Sequence, residues 1–310
     1  MNDYTRPISL IDHVVPSLGH TKAILFAPFN LSRWLAIGLC AWLATLVESG
    51  GPNFLSEEYS DTRNEVQNTL ASHPALLGAL LIFSIAFTVM AIWISSRGRF
   101  MFYHCVLYNS DEVTHPWHYY QHLAASLFRF RLILAIIGIL LCIAFMGLII
   151  SAAGPTFQVS DLRQVLLQSA FLMPVLLIIL GLLICDMLTN DFVIPVMHKH
   201  TLTCTAAWSV VWGTVGASKL NIFLYLLFKA VVTIAVGSAF LLLGLITRNA
   251  IYQMLMIPYI GTLVLLPILT FKRAFALHYL RQFGPDFDLF LSEPDPSEGK
   301  SGSSSDNDSL

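Results

Sequence analysis

The chain has 310 residues, with 17 Lys and Arg against 19 Asp and Glu, and only 12% of its residues are charged, about half of the ~25% found in ordinary soluble domains. Apolar residues make up 56% of it and the mean hydropathy is +0.69. A soluble fold of this size needs more charge to cover its surface, so composition argues against a cytosolic enzyme, a nucleic-acid binder or a disordered chain and leaves an all-α integral membrane protein.

Residues 1–16 are polar and mixed. They lack the basic start and short apolar core of a cleaved signal peptide, so the first apolar run is expected to stay in the mature protein. A spanning helix needs about 20 mostly apolar residues. Six runs are read as spans: 31–47, 74–95, 132–153, 166–185, 220–247 and 251–271. In the first, only 34–47 is uninterrupted, about 21 Å of helix, and Arg33 is expected to snorkel and extend it.

Loop charge sets the expected orientation. Arg6, Lys22, Arg33, Arg97, Arg99, Arg129, Arg131, Lys199, Lys219, Lys272, Arg273, Arg281 and Lys300 fall on one side of the six spans, against Arg63, Arg163 and Arg248 on the other. This places both termini in the cytoplasm. The first outer loop, 48–73, then carries the acids Glu48, Glu57, Glu58, Asp61 and Glu65.

The inner segments suggest an internal repeat. Before each odd-numbered span runs an amphipathic stretch: Ile11, Val14, Leu18 and Leu25; Trp117, Tyr120, Ala124 and Leu127; Trp208, Val211, Trp212 and Val215. Each reads as one helical face lying flat in the interface, with Pro16 and Pro116 placed where a helix starts. Arg33, Arg131 and Lys219 then open the spans, and the even spans end on His104, His198 and His278. The expected fold is six transmembrane helices arranged as three repeats of an interfacial amphipathic helix plus a helical hairpin. It occupies residues 1–290, and the Ser-, Asp- and Gly-rich tail 291–310 is expected to be disordered.

Lys229 is the sharpest single residue. Ten positions past Lys219, it lies about 15 Å into its helix, where an ionisable side chain needs a partner or water. Asp186 and Asp191, at the inner end of the fourth span, are the nearest acids by depth. This trio is the candidate buried charge site, read either as a structural ion pair or as a site for an ion, a proton or an anionic headgroup. His118 and His122, spaced i, i+4, share a helix face in the manner of metal ligands, and the repeat would bring His104, His198 and His278 towards one axis. The ordinary reading of all five is interfacial histidine. Cys40, Cys105, Cys142, Cys185 and Cys204 form no CxxC and lie in or beside apolar runs, so they read as small apolar fillers. Pro174, Pro258 and Pro267 interrupt spans, as in the broken helices of transporters or simply as membrane helices tolerate. No nucleotide, nucleophile-elbow or HExxH motif occurs; neither a catalytic residue, a metal nor a cofactor is expected.

The segments T-K-A-I-L-F-A-P-F-N-L-S-R-W-L (21–35), R-G-R-F-M-F (97–102), D-F-V-I-P-V-M (191–197) and L-R-Q-F-G-P-D-F-D-L-F (280–290) resemble a family of uncharacterised bacterial multi-span membrane proteins. That family is similar to the membrane domain fused to some glycerophosphodiester phosphodiesterases. The resemblance covers roughly 10–290 and implies a bacterial inner-membrane location without an established activity. The soluble barrel of the phosphodiesterase is missing here, so its hydrolase activity is not carried over.

The sequence therefore reads as an inner-membrane protein for membrane organisation, lipid interaction or transport, with membrane lipids as partners and no nucleic acid. One alternative is a small-solute or ion carrier using Lys229. Another is an intramembrane enzyme acting on lipid headgroups through cytoplasmic His and Asp.

Overall fold

A computed structural model describes residues 11–48, 73–153, 162–214, 219–248, 250–284 and 287–290. Among the described residues every regular element is helical. A 3-10 turn, Ile11–His13, leads into α1 (Val14–Phe26), and α2 (Leu31–Thr45) leaves it at an angle of 119°. The corner is held from both sides. Asn30 caps α2 by accepting from the Ser32 N–H at 3.0 Å, and the Trp34 indole donates to the Leu25 carbonyl at 3.0 Å.

Next come α3 (Pro74–Tyr108), α4 (Thr114–Tyr119), α5 (Gln121–Ala153) and α6 (Leu162–Leu188). A π-helical turn, Thr189–Val193, carries α6 directly into α7 (Ile194–His200), whose Pro195 has no N–H to donate back to the π turn; the Asn190 carbonyl there accepts from Arg273. Finally α8 (Cys204–Thr214), α9 (Lys219–Ile246), α10 (Ala250–Met256) and α11 (Ile260–Leu280) close the fold, with a 3-10 turn at Arg281–Phe283.

Five helical stretches are long and apolar enough to cross a membrane: Pro74–Tyr108, Gln121–Gly147, Met173–His200, Lys219–Ile246 and Ile260–Phe283. The bent pair α1 and α2, counted as one span, makes a sixth. The molecule divides into two zones. Buried side chains gather in 24–44, 91–107, 188–197, 204–211 and 266–280. Residues 76–90, 133–146, 173–183 and 231–246 instead leave Leu, Ile, Phe, Val and Met exposed. Apolar surface on that scale is matched by hydrocarbon rather than water.

The structure corrects several expectations. The expected sixth span, 251–271, is two helices. Pro258 lacks an N–H, Tyr259 has φ 71°, and a Cβ on Gly261 would stand 2.1 Å from the Leu255 carbonyl oxygen, so the chain turns sharply where only glycine fits. Pro174 and Pro267, by contrast, lie inside continuous helices. The second amphipathic stretch is not a separate interfacial helix: after α4 it merges into α5, with Ala124 and Leu127 buried. In the first, the buried face is Ser17, Thr21, Ile24 and Leu25, and Leu18 is exposed. In the third, Trp212 is exposed while Cys204, Ala207 and Val211 are buried; Val215 lies outside the described residues. So do Glu57, Glu58, Asp61, Glu65 and the tail 291–310.

The first span also sits differently from its expected place. Its partners on α3 run from Ser95 to Asn109: Ser95 Oγ donates to the Ala44 carbonyl at 2.8 Å, Cys105 Sγ lies 3.7 Å from Cys40 Sγ, and Arg33 bonds the carbonyl and side chain of Asn109. Glu48, read as an outer acid, is bonded to Arg99, read as an inner base, so the two lie at one level. Pro74, at the other end of α3, is 25 positions before Arg99, about 37 Å along the helix.

Gly98 makes the α2–α3 approach possible, because a Cβ there would stand 2.5 Å from the Leu43 carbonyl carbon and 2.6 Å from the Ala44 nitrogen. Gly98→Leu is therefore expected to cost about 3 kcal/mol, the upper end of overpacking penalties, read as a lower unfolding midpoint in detergent. Gly237→Ala, with nothing within 4 Å of the new Cβ, is expected to be neutral or slightly stabilising.

Candidate functional site

The charged side chains of the packed zone form two adjoining networks. Arg99 is placed at their meeting point by the uninterrupted run of α3 past residue 95, and its side chain is 1% exposed. Its guanidinium donates to both oxygens of Asp186, at 3.0 and 2.7 Å, and to Glu48. Arg131, from the first turns of α5, donates to Ser95 Oγ at 3.0 Å and lies 3.6 Å from Asp186. Two cations and two carboxylates from the ends of α2, α3, α5 and α6 thus balance one another.

The second network centres on Asp191, turned inward by the π-helical turn. Asp191 Oδ2 accepts from Tyr225 Oη at 2.9 Å and from Lys229. On α9, Ile222, Tyr225, Leu226 and Lys229 make one inward stripe at i, i+3, i+4 and i+7. Tyr225 stacks on Tyr279 with ring centroids 4.8 Å apart, which fixes the stripe against α11. Lys272 donates to Thr233 at 3.0 Å. Arg273 joins the networks: it donates to the Asn190 carbonyl, reaches the Arg99 carbonyl at 3.5 Å, and lies over the Tyr103 ring at 5.3 Å.

Lys229, Asp186 and Asp191 lie in adjoining networks but do not share one set of bonds. Lys229 pairs with Asp191, while Asp186 belongs to Arg99 and Arg131. Arg99, Arg131, Arg273, Glu48 and Tyr225 are partners that the sequence reading did not identify; the arginines were counted only as orientation markers. The spacing held a signal. Arg97 and Arg99 are two apart on one helix and point to opposite sides. Arg97 goes outward between Trp93 and Trp117, at 4.6 and 4.9 Å from their rings, while Arg99 goes inward.

The three helix-end histidines do not converge. His104 Nδ1 is 3.1 Å from Tyr120 Oη, and His198 Nδ1 is 3.0 Å from Tyr103 Oη, so these two share an aromatic cage. His278 stacks on Phe290 at 4.8 Å and meets His20 at 5.6 Å, in a different place. His118 and His122 are exposed and lie on either side of the helix break at Tyr120. Among the described residues no group of three or more His, Cys, Asp or Glu is placed to hold a metal ion. Cys40, Cys105 and Cys204 are buried free thiols; Cys185 is half-buried and Cys142 exposed.

A groove of about 350 Å³ opens between α5 and α6. Leu134, Ala135 and Gly138 form one wall and Ile179, Leu182 and Leu183 the other, with Arg131, Asp186 and Glu48 at one end.

The sequence model of one family, "Family of unknown function (DUF7544)", matches residues 8–257, and the chain belongs to that family. No curated protein and no solved structure matches the chain.

Breaking one buried pair strands its partner, which typically costs roughly 3–5 kcal/mol. Lys229→Leu is expected to destabilise on that scale, because Asp191 is 2% exposed and Lys229 12%. Adding Asp191→Asn is expected to recover much of the loss, whereas adding Asp186→Asn is expected to recover far less, since its bonds go to Arg99. Unfolding in detergent of the single and double variants checks this; equal recovery by Asp186→Asn would overturn the pairing.

Proposed function

We infer that this member of a family without an assigned activity is a non-enzymatic, multi-pass inner-membrane protein that works by contact with membrane lipid. The observation that carries this reading is the mutual pairing of the core charges. Lys229, which a carrier would need free, is bonded to an acid that also holds Tyr225. Of the histidines that an enzyme would gather, His104 and His198 share one aromatic cage and His278 lies in another. What the molecule offers its surroundings is long exposed apolar helix and an apolar groove with a charged end.

The proposal includes a bacterial inner membrane as the location, both termini in the cytoplasm, and three related helical units, the second with its amphipathic stretch merged into α5. The loop charges support the orientation, and the quoted segments support the likeness to the membrane domain fused to some glycerophosphodiester phosphodiesterases. No hydrolase activity is part of it.

Reconstitution of the full chain into liposomes tests the function. Solute and ion flux is expected to equal that of empty liposomes, while lipid co-purifies with the protein. Saturable flux abolished by Lys229→Leu would replace this reading with the carrier. Reporter fusions at Asn2 and Ser303 are both expected to report cytoplasm, and one near Asp61 the outside. Termini on opposite sides would mean that α1 and α2 do not add a crossing.

A further inference from the structure

The groove between α5 and α6 has the layout of half a phospholipid. Its apolar walls run antiparallel. Arg131 faces Asp186 at the charged end (3.6 Å), and a Cβ on Gly138 would stand 3.1 Å from Leu182 Cδ1 two helical turns further along. Away from the charged end only apolar residues line it: Leu134, Ala135 and Gly138 from α5, Ile179, Leu182 and Leu183 from α6, and Val47 and Ile92 beside them. Two helical turns span about 10 Å, room for a stretch of acyl chain rather than a compact solute, and the volume of about 350 Å³ lies within the range of ligand pockets. Leu183, which lines the groove, is itself 63% exposed, so a chain reaches it sideways from the bilayer.

The charged end selects the headgroup. Arg99 and Arg131 balance Asp186 and Glu48, so the end carries no net positive charge to draw an anion. The cations are the buried members, 1% and 8% exposed, and the carboxylates are the accessible ones, at 30% for Asp186 and 49% for Glu48. An accessible carboxylate beside a more deeply set guanidinium is complementary to a zwitterion with an outer ammonium and an inner phosphate. We propose that the α5–α6 groove binds one membrane phospholipid with an ethanolamine headgroup, its acyl chain between Leu134, Ala135 and Leu183, its ammonium on Glu48 and Asp186, and its phosphate towards Arg131. This rests on the lipid-contact reading above and assigns that contact a site and a lipid class.

The test uses the full chain in detergent, titrated with dioleoyl phosphatidylethanolamine, dioleoyl phosphatidylglycerol and dioleoyl phosphatidylcholine, with bound lipid counted by native mass spectrometry. The ethanolamine lipid is expected to bind about tenfold or more tighter than the glycerol lipid, a difference well above assay scatter. Ala135→Phe, which fills the groove, is expected to abolish that preference, and Glu48→Gln to reduce it towards the choline lipid. Should Ala135→Phe not fold, Leu183→Trp fills the same space from an exposed position. Equal or tighter binding of phosphatidylglycerol would overturn the headgroup assignment, and ethanolamine-lipid binding unchanged in the groove-filled variant would overturn the site. Retention of no lipid of any class would instead overturn the lipid-contact reading itself.

Discussion

A guanidinium enclosed by packed helices must be met by carboxylates, and the rest of this fold is arranged around one such group. Arg99 sits past the apolar half of α3, where the helix continues without a break. To satisfy it, the end of α2 brings Glu48 and the inner end of α6 brings Asp186. Asp186 in turn holds Arg131, which draws the start of α5 against Ser95 of α3. The carbonyl of Arg99 faces Arg273 of α11. One buried cation thereby sets the relative positions of five helices, and removing any member would leave another uncompensated.

The π-helical turn at Thr189–Val193 provides the second fixed point. One extra residue per turn rotates Asp191 and Phe192 into the core, and the geometry is one that helices keep for special positions. Asp191 then reaches Tyr225 and Lys229 on α9, a helix that otherwise exposes Leu220, Phe223 and Leu227. In apolar surroundings such a helix gains little from burying its own leucines, so polar bonds and aromatic stacking decide where it docks. The segment 287–290 is tied down in the same manner: buried Asp288 accepts from Arg281 at 2.8 Å, its carbonyl accepts from Lys199 at 2.7 Å, and Phe290 covers His278.

The exposed apolar and the inward-facing parts of the molecule follow different rules. Residues 76–90 of α3 and 133–146 of α5 are apolar nearly all round and largely exposed, as helices able to cross a membrane are. Gly98, Gly261 and the alternation of Arg97 with Arg99 belong to the packed zone, where backbone approach and charge partnership limit the choice of residue.

Composition and hydropathy determined the class by themselves. A chain with so few charges and such long apolar runs has the composition of a membrane protein, and the helices over 74–95, 132–153, 166–185 and 220–246 were legible because crossing hydrocarbon demands continuous apolar helix. Lys229 was legible as a residue needing an acid, since an unpaired ammonium in such a helix is costly. Only the tertiary structure decided which acid. Asp186 and Asp191 are five residues apart, and depth along a helix does not distinguish them. The π turn rotates Asp191 towards α9, and Arg99 holds Asp186 at the α3–α5 side. The tertiary structure likewise decided that Arg99, Arg131 and Arg273 are core groups rather than loop charges. Whether a cation at a span boundary faces water or a carboxylate depends on which helix packs beside it, and partners 36 to 174 positions apart leave no periodic trace in the chain.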